Sequence, residues 1–239
     1  GCQKKGGHRM GMKKTIHKVA IATIMIIALS AGMTFALLSH VTESVTNVFA
    51  SDKNLSLELR EPQWDGYTFD DTYPTDILPG TSVKPGTENS GLQMAENYLP
   101  GNVISKDPMV KNTSDGLSEW VAMKVQYFDE NGKAIGKTDF QKKYAKTAYQ
   151  NDEVNPNFVK ISDHAAIEEL YMYTRTLDTT AGKNITEPLF SSVIVNKDLT
   201  PNSKNMWPTF SIKVTGYAVQ SDGVSEDAAR QALIELAQG

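Results

Sequence analysis

An uncharged apolar run over residues 19–38, directly preceded by Lys13, Lys14 and Lys18, splits the chain into two parts with different physical fates. Positive charge holds the start of such a segment on the inner side of a membrane while the apolar stretch enters the bilayer. Thr34, Phe35 and Ala36 supply the small-x-small pattern that signal peptidases cut, so cleavage is expected between Ala36 and Leu37. A retained anchor is the competing reading, because the run approaches the roughly 20 residues that cross a bilayer as a helix. Ser30, Gly32 and Thr34 weaken its far end and favour cleavage. Residues 2–11 read as neither core nor signal, and translation is expected to open at Met10 or Met12.

Removing residues 1–36 changes the electrostatics. That segment contains six of the 24 basic residues and none of the 28 acidic ones, so the remaining 203 residues have a net charge of −10. An acidic surface repels phosphate backbones, and no nucleic-acid partner is expected. It favours solubility outside the cell. The one cysteine, Cys2, precedes the apolar run, so an exported domain would be stabilised by its core without internal disulfides. Its length suits one sizeable domain.

Residues 37–50 form an arm rich in Ser and Thr, with Val41, Val45 and Phe49 four apart and Val48 off the pattern. That spacing fits either a helix turn or an extended strand, and the β-branched content tips it toward strand. Leu55, Leu57 and Leu59 alternate with polar residues, the mark of a half-buried strand that opens a domain over residues 51–239. Residues 61–101 turn to Pro, Gly, Asp, Thr and Tyr, which predicts long loops across the end of a sheet, pinned by Trp64 and Tyr67. Val121, Val125 and Tyr127 mark a strand that ends at a tight Glu130-Asn131-Gly132 hairpin turn. A short amphipathic helix is predicted over residues 139–149, and further strands over 158–161, 170–177, 190–195 and 210–219. Ser225 reads as the N-cap of a last helix over 225–238, with Ala229, Leu233 and Leu236 on one face. Many strands, few helices and long loops predict a mainly β chain folded as an antiparallel sandwich, preceded by the apolar signal helix.

A family resemblance runs through the chain after the signal. Its pieces are Gly32-Met33-Thr34-Phe35-Ala36, Asn47-Val48-Phe49, Leu59-Arg60-Glu61-Pro62-Gln63-Trp64-Asp65, Leu99-Pro100-Gly101, and Lys106-Asp107-Pro108-Met109-Val110-Lys111-Asn112. Trp120-Val121, Tyr171-Met172-Tyr173, Thr186-Glu187-Pro188-Leu189-Phe190 and Tyr217-Ala218-Val219-Gln220 follow. In that order they resemble the TasA and camelysin family, exported proteins of Gram-positive bacteria processed by the signal peptidase SipW. The resemblance implies a jelly-roll sandwich, secretion, and assembly into fibres of the biofilm matrix by donating a strand to the next subunit. The donor would be residues 37–50, with Val41, Val45, Val48 and Phe49 as buried side chains. The competing reading of that arm is a flexible tail or an ordinary first strand.

Within the motifs, Asp107 before Pro108 is held extended by the proline ring, and Asn112 is placed to close a turn through its side chain. Glu61, Pro62, Trp64, Lys106, Asp107, Pro108, Val110 and Asn112 are therefore read as structural, with any Lys106 ion pair expected at the surface and weak. The camelysin name brings a metalloprotease reading with it. After the signal only His40 and His164 remain, and neither belongs to an H-E-x-x-H pattern, so no metal ligand, cofactor or catalytic residue is assigned. Acidic pairs at Asp70-Asp71, Asp152-Glu153 and Glu168-Glu169 follow no calcium-loop pattern and read as solvated charge. No nucleophile elbow is present, and Leu78-Pro79-Gly80-Thr81-Ser82 departs from a sortase signal at its last position. The expected partners are identical or related subunits and the signal peptidase. The alternative is a monomeric surface adhesin that stacks matrix or surface glycans on Trp64, Trp120 and Trp207, against which stands ordinary aromatic packing.

Overall fold

The computed structural model describes residues 26–30, 43–46, 55–162 and 164–238. In chain order the elements are β1 (Ile26–Ser30), β2 (Glu43–Thr46), β3 (Leu57–Arg60), α1 (Pro62–Asp65), α2 (Gly91–Glu96), β4 (Val103–Ser105), β5 (Met109–Asn112) and β6 (Glu119–Phe128). There follow β7 (Ala134–Ile135), α3 (Lys137–Lys143), β8 (Ala145–Ala148), β9 (Phe158–Ser162), a 3₁₀ turn (His164–Ala166), β10 (Glu168–Tyr173), β11 (Ser192–Val195), β12 (Ser211–Gln220) and α4 (Glu226–Gln238). The chain is mainly β, with antiparallel sheets and few short helices.

The largest sheet runs β2-β1-β12-β6-β10-β9, with β7 hairpinned onto β6. Its spine is the pair β6 and β12, in register over ten residues from Ser211 opposite Phe128 to Gln220 opposite Glu119. A three-stranded sheet, β4-β11-β8, and a two-stranded one, β3-β5, make up the rest. One continuous core joins all three. Val121, Met123, Val125 and Tyr127 of β6 and Ile212 and Val214 of β12 pack with Leu57, Leu59, Val110, Ile104, Val193 and Val195 from the smaller sheets. The other face of β6, β10 and β12 is covered by α4, through Ala122, Leu170, Met172, Tyr217 and Val219 against Ala229, Ala232 and Leu233. Burial on both faces explains why β12 is buried at nearly every position and carries the unbroken apolar run Tyr217-Ala218-Val219 near its end.

Local sequence explains several boundaries. Asp129 Oδ1 accepts the amides of Asn131 and Lys133, and Gly132 takes a positive φ of 72°, which closes the β6–β7 hairpin where Asn-Gly predicts it. The Ser225 hydroxyl accepts the Ala228 amide at the start of α4, and Ala229 and Leu233 are fully buried on its inner face. The helix expected over residues 139–149 is shorter. It ends at Lys143, and residues 145–148 form β8 because Ala145 to Ala148 pair along β11. The strand expected over 170–177 ends at Tyr173.

The N-terminal expectation also changes. Of the run read as an apolar helix, the described part, Ile26–Ser30, is a strand. It pairs with β12 on one side and β2 on the other, so its backbone groups are satisfied across the sheet. Among the described residues no helix is long and apolar enough to cross a membrane.

Candidate functional site

The two segments that carry the family resemblance meet in the interior. The chain leaves β3 at Arg60, and Pro62 opens α1 at a position where its missing N–H costs no helical hydrogen bond. Gly66 ends that helix with φ 86°. This one turn places Glu61, Trp64 and Asp65 inward, all fully buried. From the link between β4 and β5, Lys106 reaches the same place. Its Nζ lies 2.8 Å from Glu61 Oε2, with no exposed surface on either side chain, and 4.6 Å from the centre of the Trp64 ring. Lys106 is therefore no surface residue, and the expected weak solvent-exposed pair is replaced by a buried one.

Around this pair the backbone is tied at several points. Asp107 Oδ1 accepts the Gln63 amide at 2.8 Å, the Trp64 indole N–H donates to the Gly80 carbonyl, and the Lys106 amide donates to the Ser191 carbonyl. Asp65 gathers the long loop. Its Oδ1 accepts the Tyr67 amide, and its Oδ2 accepts both the Gly80 amide and, at 2.5 Å, the Tyr73 hydroxyl. Loss of hydration dominates the electrostatics of all three carboxyls. Burial pushes Asp65 up to about 6 against the hydrogen bonds from Tyr73 and Tyr67, and Asp107 up to about 7 against the Gln63 amide. Burial also raises Glu61, with Lys106 opposing.

A second buried knot lies where the domain begins. Glu119, fully buried at the start of β6, accepts the Ser114 hydroxyl through Oε1, while its Oε2 has no hydrogen-bond partner among the described residues. Burial raises its carboxyl to about 8, opposed by Ser114 and the Ser56 backbone. Asn112 closes the adjoining turn. Its Oδ1 accepts the Ser114 amide, and its Nδ2 donates to the carbonyls of Leu117 and Leu177.

The carboxyls of both knots are buried, and apart from Glu119 Oε2 these hydrogen bonds tie them to neighbouring loops. Pro62 is half-buried, Pro108 is buried, and Val110 lies fully in the core. Sequence reading missed Asp65, Tyr73 and Glu119 as members of this machinery. It also missed α2, although Ser90 and Gln93 form a reciprocal capping box whose S-x-x-Q spacing is visible in the sequence.

The acidic pairs have cationic neighbours. Asp71 lies 2.6 Å from Lys84 Nζ, Glu153 lies 2.8 Å from Lys137, and Glu169 lies within 3.5 Å of both Lys137 and Lys160. His164 is exposed in the 3₁₀ turn. Among the described residues no three His, Cys, Asp or Glu side chains gather as a metal-binding group. Trp64 is core, Trp120 is half-buried, and Trp207 is exposed beside Met206, so the three form no common platform.

The remaining candidate surface is a sheet edge. Of the arm at residues 37–50, Glu43–Thr46 is described as β2, which places the Val45 backbone opposite Ala28 of β1. Ala36, Leu37, Val41, Val48 and Phe49 lie outside the described residues. Everything in the largest sheet beyond β12 comes from the N-terminal part of the chain: β1 pairs along Gly216–Val219, and β2 pairs along β1. No family model matches the chain, and neither a curated protein nor a solved structure matches it.

Proposed function

We propose that the chain is an exported structural subunit that assembles, or helps to assemble, extracellular fibres of the biofilm-matrix kind by passing a strand between copies. The observation that carries this reading is the make-up of the largest sheet, in which the strand beside β12 comes from the N-terminal segment and not from the domain. An edge whose partner strand comes from outside the domain needs only a change of donor to join two molecules, since the backbone hydrogen bonds are the same from either chain. The resemblance to the TasA and camelysin family supports the rest: a jelly-roll arrangement of the sandwich, cleavage after Ala36 by a SipW-type peptidase, and delivery to the cell exterior. No catalytic role is proposed.

The test is electron microscopy with sizing chromatography on residues 37–239 beside residues 51–239. Fibres from the longer form alone support strand donation by the arm. Monomers from both, across salt, pH and concentration, overturn it.

A second reading, a monomeric surface adhesin, is favoured by one feature. An open groove of about 550 Å³ is lined by Arg175, Asp178, Lys183 and Glu187, charged groups that can hydrogen-bond sugar hydroxyls. Saturable glycan binding by a chain that stays monomeric would favour it.

A further inference from the structure

The strand that fills the edge of β12 comes from the wrong side of the expected cleavage point. β1 is residues 26–30, whereas the expected cut falls between Ala36 and Leu37. We infer that Ile26–Ser30 acts as a built-in cap, which occupies in the uncut chain the strand position that a second copy would use after processing. This inference rests on the fibre reading above.

Three features of the fold carry it. The first is the pairing itself: Ile26 lies opposite Val219, Ile27 opposite Ala218, Ala28 opposite Tyr217 and Leu29 opposite Gly216. The second is the site. Ala218 belongs to the main core, whereas Tyr217 and Val219 belong to the cluster under α4, so β12 is covered on both faces where β1 joins it. β1 itself runs beside α4 and β3. Its place is thus a slot between elements, not a flat rim. The third is composition. A strand covered on both faces needs apolar residues at successive positions, and Ile26-Ile27-Ala28-Leu29 supplies them without interruption.

Removal of residues 1–36 would act on two strands at once. β12 loses its neighbour along Gly216–Val219, and β2 loses the strand it pairs with along Glu43–Thr46. One cut therefore makes both halves of an intermolecular contact: an empty slot and an unpaired extended segment. The occupant of the slot is residues 43–46 of a second copy, already in strand conformation in this same sheet. Until the cut, each molecule satisfies its own edge, which blocks assembly of the uncut chain.

The test uses the full chain with a specific protease site placed between Ala36 and Leu37, folded intact and then cut. Amide exchange at Gly216–Val219 reports the slot, and sizing chromatography with electron microscopy reports assembly. The expected result is a protected, monomeric uncut chain that forms fibres after cutting. Uncut chain carrying Ile27→Pro should lose protection by tenfold or more at those amides of Gly216–Val219 that face β1, while the β6 amides stay protected. If the cut chain stays monomeric and loses that protection, and a soluble peptide of residues 24–32 restores it, the cap stands and the fibre reading falls. If the uncut chain polymerises as readily as the cut chain, the cap falls and the fibre reading stands. Equal protection before and after cutting in chain that stays monomeric, with the released segment gone, overturns the cap.

Discussion

Lys106 and Glu61 form a 2.8 Å ion pair in which neither side chain touches water, 45 residues apart in sequence and joined across the base of the long loop at residues 61–101. Such a pair is worth little compared with a well-packed apolar one, because both charges lose their hydration. Removing one partner is another matter, since the remaining charge stays buried alone. Lys106→Met is expected to cost about 3–5 kcal/mol, and the double variant Lys106→Met with Glu61→Leu to recover much of that loss. Urea unfolding of the three proteins checks it. A double variant no more stable than the single one would show that the charges do not act as a pair.

The pH dependence follows from Glu119. Its folded-state value is about 8 against an ordinary 4.5, so the unfolded chain releases the proton first as pH rises. The contribution is fully present below about pH 4.5 and is lost as pH climbs through about 8, at about 1.4 kcal/mol per pH unit between the two. Glu119→Gln removes the proton and keeps an acceptor for Ser114. Between pH 5 and pH 8 the stability of this variant should therefore gain steadily on that of the unmodified protein, with the gap constant above about 8.5. Parallel stability curves for the two proteins would show that Glu119 does not titrate in this range.

Gly91 makes a sharper local test. A Cβ there would fall 1.8 Å from the Ser105 carbonyl oxygen and 2.8 Å from Trp64 Cε3, so the first turn of α2 lies directly on β4 and the buried indole. Ala is the better helix former, and propensity alone predicts a gain. The contact with a backbone oxygen cannot yield by a side-chain rotation, and a loss of about 1–3 kcal/mol is expected from overpacking. Thermal unfolding of Gly91→Ala decides the sign.

The sequence announced local matters and hid distant ones. The Asn131-Gly132 turn, the Ser225 cap and the Leu55, Leu57, Leu59 alternation depend on neighbours in the chain, and each is formed in the fold. Phe140 and Tyr144, four apart, carry a real helical signal. The extension to residue 149 fails because Ala145 to Ala148 gain a β11 partner that no local pattern reveals. Lys106 departs from its local pattern for the same reason. Its flanks show an extended, proline-held segment, but its burial depends on Glu61 and Trp64 arriving from the far side of a long loop. β12 was legible as strand, whereas its two-sided burial and the identity of its neighbour were not.

Tyr73 tests whether Asp65 is the anchor of that loop. Its hydroxyl donates to Asp65 Oδ2 at 2.5 Å, while its ring stacks near Tyr67 at 4.4 Å and lies 4.1 Å from the Arg60 guanidinium. Tyr73→Phe removes the hydrogen bond and keeps both ring contacts. The Tyr73 hydroxyl is the largest influence opposing burial at Asp65, so without it the carboxyl should rise above its value of about 6 and be neutral over more of the physiological range. A neutral carboxyl is a weaker acceptor for the Tyr67 and Gly80 amides. The variant is expected to lose about 1.5–3 kcal/mol, the usual worth of a hydrogen bond to a charged group. Exchange should speed up at the Tyr67 and Gly80 amides while β6 and β12 keep their protection. Carbon-13 titration of Asp65 together with amide exchange checks both halves, and an unchanged Asp65 titration would mean that the hydroxyl does not set its charge.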